Sequence, residues 1–217
     1  MNRAHAAAGI AGRVPRAYRP TVASRDILGP DSAGGYTYEQ YFSLVELGFL
    51  NEDDRVELLD GVIVAKSPAN PPHDAGVWRV QTAVLREVGD RAMVRVQSSL
   101  VASSRSVPEP DVAVVPWRRR HYADAHPTTA LLLVEVADSS LPQDRLSKSR
   151  IYAGDAVPQY LIVNLRDERV EAFADPDATA RVYRTQRTAH RGERIELLAF
   201  PGTFVAVDDL LTEPDGD

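Results

Sequence analysis

Leu131-Leu-Leu-Val-Glu-Val-Ala137 has the length of a strand and is apolar throughout except for Glu135. A half-exposed strand would alternate apolar with polar residues, so a continuous run of this kind belongs to a strand covered on both faces. Glu135 is out of place in it. An ionised carboxylate buried without a partner is expensive, so the position calls for an arginine, a strand end open to water, a metal ion, or a bound proton. Upstream, Asp111 opens a second apolar run, Asp-Val-Ala-Val-Val, after Pro108-Glu109-Pro110. Downstream, a helix is predicted from Pro142 to Ala153 with Gly154 at its end, and Gln159 to Leu165 is a further apolar strand.

Further from the centre, Arg55-Val-Glu-Leu-Leu, then Asp60-Gly61, then Val62-Ile-Val-Ala reads as a β-hairpin, because Asp-Gly supplies the positive φ angles of a two-residue turn. Glu57 lies inside its first strand. Thr37-Tyr-Glu-Gln40 is a capping-box pattern that opens a short helix with Phe42, Val45 and Glu46, stopping at Gly48. After the turn-rich Ser67-Pro-Ala-Asn-Pro-Pro72, residues His73, Val77, Val80, Val84 and Val88 recur at steps of three and four, one face of a helix that ends near Gly89. Strands are predicted at 93–101, 111–115 and 131–137, then short ones at Val170 to Phe173, Arg181 to Thr185 and Ile195 to Ala199, and a brief segment around Leu210. This order implies an α/β (or α+β) fold, a mixed β-sheet flanked by two longer helices.

The organisation expected is one domain over 34–212. Residues 1–33 carry Arg3, Arg13, Arg16, Arg19 and Arg25 with no acid before Asp26 and no hydrophobic period, the pattern of a disordered basic N-terminal arm; a transit peptide or a wrongly assigned start would look similar. Residues 213–217 form a short acidic tail. With no cysteine, disulfides, thiolate metal sites and cysteine nucleophiles are excluded, and a reducing compartment, the cytoplasm, is expected. No apolar stretch approaches the ~18 residues of a membrane span, so no membrane association is expected. The net charge of −6 argues against a protein that coats nucleic acid nonspecifically but is compatible with a nuclease, whose metal-binding carboxylates add negative charge.

Two carboxylates on consecutive strands, Asp111 and Glu135, can converge on one hard cation if those strands are neighbours. Lys148 falls six residues after Pro142, on the second turn of the predicted helix, where Asp144 at i−4 offers it an ordinary surface pair. Glu57 has a cross-strand arginine pair as its alternative, and His73 that of a hydrogen-bonded core residue. Trp117-Arg118-Arg119-Arg120-His121-Tyr122 joins the two carboxylate strands and either contacts phosphates or is a solvated loop. Acyl hydrolysis by a serine has no support: G-x-S-x-G, P-loop, G-x-G-x-x-G and H-E-x-x-H patterns are all lacking.

The ordered set VELLDGVIV, SPANPPH, PEPDVAVV, LLLVEVADSS and DRLSKSRIYAGDAVPQYLIVNL resembles the Uma-type (DUF820) restriction-endonuclease-like family of the PD-(D/E)XK nuclease superfamily, over roughly Tyr36 to Phe173. The resemblance implies Asp111 as the PD acid and Glu135 as the acid of the second motif, together holding Mg2+ or Mn2+. The lysine expected two residues after that acid is replaced by Ala137, and Lys148 on the following helix matches instead, within the Lys148-x-x-x-Tyr152-Ala stretch. Glu57 is implied as a further metal or water ligand, and His73, Gln97 and Tyr152 as accessory residues. A DNA substrate, phosphodiester hydrolysis and a homodimer are the corresponding expectations, against the alternative of a nuclease fold turned binding or regulatory module.

Overall fold

The computed structural model of this chain describes residues 34–68, 70–138 and 140–212. The expected N-terminal arm and C-terminal tail lie outside the described residues. Helix α1 (Tyr38–Glu46) starts where the capping box places it: the Thr37 hydroxyl accepts the Gln40 N–H, and the Gln40 side chain accepts the Thr37 N–H. Strands β1 (Val56–Leu59) and β2 (Val62–Ala65) form the predicted hairpin. Asp60 and Gly61 turn it with φ of 49° and 84°, the pair of positive values that a tight turn matching the strand twist requires.

Helix α2 (Pro71–Val88) buries Val77, Val80, Val84 and Val88, as the three-and-four spacing predicts. Asn70 caps it by accepting the His73 N–H, and Pro71 suits a first turn whose N–H groups have no intrahelical partner. The helix lies against one face of a six-stranded sheet of order β3-β4-β5-β6-β7-β8, comprising β3 (Met93–Val96), β4 (Val112–Val115), β5 (Leu132–Ala137), β6 (Gln159–Asn164), β7 (Arg169–Asp177) and β8 (Val182–His190). Only the β5–β6 pair is parallel. Its crossover is helical: α3 (Leu141–Gln143), a π turn (Asp144–Lys148) and α4 (Ser149–Gly154).

Alternation sorts β4 and β5 between two cores. Val112, Val114, Leu132, Val134 and Val136 pack with α2, whereas Ala113, Val115, Leu133 and Ala137 pack with Ile151 and Tyr152 of α4. Every residue of β5 and β6 is buried, as expected for strands covered on both sides. Gly76 lets α2 come close to β5, since a Cβ there would meet Val136 Cγ1 at 2.8 Å.

Several expectations are corrected. The strand predicted at 93–101 stops at Val96, because Gln97 turns with φ of 43°. The helix predicted as regular contains the π turn. Strands β7 and β8 are nine residues each, longer than read, because they pair with each other while most β8 side chains face solvent and leave no apolar signature. The 195–199 strand is instead β9 (Arg194–Glu196), paired with an unpredicted β10 (Phe204–Ala206) that leads into α5 (Val207–Leu210).

Candidate active site

Strands β4 and β5 are antiparallel neighbours with Val112 opposite Val134. One step further along this register Asp111 faces Glu135, on the side of the sheet that carries the α3–α4 crossover. The backbone adds a direct tie, the Val136 N–H donating to Asp111 Oδ2 at 2.8 Å. Across the crossover helix the side chains at 140, 144, 148 and 152 follow one another at four-residue steps, and the inserted π turn leaves both Asp144 and Lys148 buried. The Ser149 N–H closes that turn on the Asp144 carbonyl, which also accepts the Tyr160 hydroxyl at 3.3 Å. A π turn inside an α-helix is costly and is often found at functional sites.

Lys148 is the hub of the arrangement. Its Nζ lies 3.0 Å from Glu135, 3.7 Å from Glu57 and 3.9 Å from Asp144. Each carboxylate is also held from behind. The Tyr152 hydroxyl donates to Glu135 at 2.7 Å, the Ser140 hydroxyl to Asp144 at 2.7 Å, and the Glu109 N–H to Glu57 at 3.1 Å. Gln143 approaches Glu57 at 3.4 Å. On the other side of Glu135, His73 Nε2 stands 3.2 Å from Asp111 Oδ2, and Gln97 Nε2 lies 3.4 Å from Oδ1. Asn70 positions His73 by capping α2 and donating to Asp138 at the end of β5.

The electrostatics are unbalanced toward negative charge. Burial pushes Glu135 up to about 8; Lys148 opposes this, while Asp111, Asp144 and Glu57 add to it. Asp144 is pushed up to about 6, chiefly by burial. Burial alone would lower the Lys148 ammonium, but Glu135, Glu57, Asp144 and Asp111 together raise it above its ordinary value. Asp111 is also buried, yet its hydrogen bond to His73, the His73 charge, the Val136 N–H and Lys148 hold it below the usual carboxylate range. His73 is raised in return, first by its bond to Asp111. His73 and Asp111 are thus paired through this hydrogen bond, each favouring the other's charged form, beside a carboxylate cluster that has one ammonium.

The sequence-predicted residues separate into two groups. Glu57, His73, Gln97, Asp111, Glu135 and Lys148 line one cleft, with Tyr152 buried behind Glu135. Arg118, Arg119 and Arg120 do not join them. They follow the far end of β4, whereas Asp111 precedes its start; Arg118 and Arg120 lie 3.9 and 4.0 Å from Asp124. Gln97 reaches the cleft from just beyond β3 rather than from within a strand. Glu57 has Lys148 in place of the arginine considered for it.

Asp144, read as a surface partner of Lys148, is buried in the cluster; its four-residue spacing from Ser140 and Lys148 was the available signal. Among the described residues no three His, Asp or Glu side chains converge as a ready metal cage. The donors of Asp111 and Glu135 are nonetheless all oxygen, suited to a hard divalent cation that keeps several waters. The excess of buried carboxylates over cations favours added positive charge at this place.

A protein-family model described as Uma2, putative restriction endonuclease, matches residues 38–208. Among solved structures, the chain is similar to the crystal structure of a putative nuclease belonging to DUF820 from Anabaena variabilis. That likeness has a TM-score of 0.65 and 12% sequence identity, and covers 81% of this chain and 97% of the other. At such identity it is a likeness of fold. No match is found among curated proteins. No helix among the described residues is long and apolar enough to cross a membrane.

Proposed function

The chain belongs to the Uma2 family, described as putative restriction endonucleases, and on that premise we propose that it is a divalent-metal-dependent nuclease hydrolysing DNA phosphodiester bonds. The observation that carries this reading is Lys148 drawn among three buried carboxylates in the cleft that Asp111 also lines. Asp111 and Glu135 would hold Mg2+ or Mn2+. When bound, such an ion supplies charge neutralisation at the scissile phosphate and acidifies water.

The remaining steps belong to the chain itself. The Tyr152 hydroxyl fixes the Glu135 carboxylate, and His73 and the Val136 N–H fix that of Asp111, so that neither must reorganise as charge develops. The Lys148 ammonium donates to the attacking water or to a phosphate oxygen, and Glu57, held by the Glu109 N–H, accepts from that water. Gln97 is an additional donor at Asp111. Two copies of the chain, as a homodimer, would place one such site on each strand of a duplex.

Purified protein should nick DNA in the presence of Mg2+ or Mn2+, and Asp111→Asn or Glu135→Gln should abolish nicking while leaving the circular-dichroism spectrum unchanged. Each substitution keeps side-chain size and an acceptor oxygen but deletes a ligand charge. A parent protein that neither binds Mg2+ by calorimetry at millimolar concentration nor cuts any DNA would defeat the proposal. The fold would then serve as a binding module, with these carboxylates as structural partners of Lys148 and His73.

A further inference from the structure

A second cavity of about 320 Å3 opens beside the carboxylate cleft, and Arg55 and Glu109 line both. It is larger than the cleft and of the size of small-ligand pockets. Val56 of β1 lines the cavity and Glu57, the next residue, lines the cleft; successive strand side chains point to opposite faces, so β1 is the partition between them. The cavity is aromatic where the cleft is charged. The rings of Phe42 and His126 are stacked in it, with centroids 5.0 Å apart and planes 5° apart. Burial, then Arg95, holds His126 below its ordinary pKa, which favours the uncharged ring.

The shared rim carries two side chains of opposite charge. Lys66 at 2.9 Å and the Ser99 hydroxyl at 3.1 Å fix the Glu109 carboxylate. Arg55 is different: exposed, it makes no ion pair or side-chain hydrogen bond among the described residues, and its φ of 47° is left-handed.

We propose that this cavity receives one unpaired nucleobase of the DNA strand whose phosphate enters the carboxylate cleft. Phe42 and His126 are the stacking surface, Glu109 accepts from a base amino group, and Arg55 clamps a phosphate between base and cleft. Planar heterocycles stack on aromatic faces whatever their sequence, a duplex base must leave its stack to reach such a pocket, and the rim that the cavity shares with the cleft at Arg55 and Glu109 selects a nucleotide chain as the occupant. The substrate so implied has single-stranded character at the cut: a flap, a loop or a mismatch. The inference rests on the nuclease reading, and its test is made without catalysis.

Binding of the full chain to a short fluorescein-labelled single-stranded DNA is measured by anisotropy in EDTA, with an abasic unit walked along the strand. One abasic position should weaken binding by about tenfold, the effect of losing one base–aromatic stack. Phe42→Leu, which keeps apolar volume without the aromatic face, should weaken the intact strand by the same factor and erase the abasic effect. Val45→Glu, which sets a charge at the cavity from an exposed helix position, should do likewise, and it decides the matter if Phe42→Leu fails to fold. Blunt duplex binding should not change. A flat abasic scan, or variants that bind intact and abasic strands as the parent does, would overturn the base pocket. If that parent still nicks DNA with Mg2+, the nuclease reading survives; a parent with a clear abasic position and no nicking under any metal keeps the base pocket and removes the nuclease reading.

Discussion

Replacing Lys148 with Met removes the ammonium that Glu135, Glu57 and Asp144 share at 3.0, 3.7 and 3.9 Å. At these separations and an effective dielectric of about 20, each gross attraction is about 4–6 kcal/mol. Much of that is offset, because the ammonium no longer has to be dehydrated and the carboxylates can take up protons. Removing one partner of a buried ion cluster costs about 3–5 kcal/mol net, a large share of the ~5–15 kcal/mol that holds a domain folded. The loss has a pH signature. Glu135 at about 8 and Asp144 at about 6 already sit above their ordinary values, and without Lys148 both rise further. Lowering the pH lets the native variant neutralise itself, so its deficit is larger near about pH 8.5 than near about pH 5.5. Added Mg2+ should restore about 2–3 kcal/mol at a hundredfold excess over Kd. The variant should also bind Mg2+ more tightly than the parent while cutting DNA more slowly, since a competitor for the carboxylates has gone together with a donor to phosphate. Urea unfolding followed by circular dichroism at both pH values, with and without Mg2+, measures all but the last. Equal stability of variant and parent at the higher pH, or a deficit that grows on acidification, would refute the idea that Lys148 is the counter-ion of this cluster.

Two further perturbations test the fold around the site. Asp155, at the end of α4, has its carboxyl pushed up to about 7 by burial, with Oδ2 lacking a hydrogen-bond partner among the described residues. The native state therefore keeps a proton that the unfolded chain loses above about 4, and stability falls as pH rises through the window up to about 7. Discounted for its partial exposure, Asp155→Asn should gain about 1–2 kcal/mol at pH 8 and nothing below about pH 4 in denaturant titrations; an equal effect at both pH values would exclude the titration. Gly76→Ala places a Cβ 2.8 Å from Val136 Cγ1 and 3.3 Å from Leu165. Overpacking of about 1–3 kcal/mol should outweigh a helix-propensity gain of about 1 kcal/mol, lowering the calorimetric Tm by a few degrees. A rise in Tm would mean that α2 can lift from β5 without loss.

The elements whose signals are local were legible in the sequence. Asp60-Gly61 specifies a turn by backbone sterics alone, Thr37 and Gln40 cap a helix within four residues of chain, and the valines of α2 and the apolar β5 and β6 record which faces are buried. The same logic made Glu135 conspicuous, because a carboxylate in a doubly covered strand demands a partner. What the partner is, and what else joins it, depends on contacts between residues far apart in the chain. Lys148 reaches Glu57 across ninety-one positions, and His73 reaches Asp111 across thirty-eight, because α2 and the crossover helix both begin at the end of the sheet where β4 starts and β5 stops. Asp144 looks like any helix-surface acid until the π turn buries it, and no residue pattern announces an i→i+5 bond. Strand β8 was truncated for a related reason: its stability comes from a ladder of backbone bonds to β7, which side-chain alternation does not encode. Local sterics and hydrophobic period thus determined where elements begin and which way they face, whereas the convergence of charges into one cleft was decided by tertiary packing, which alone sets the distances on which electrostatics acts.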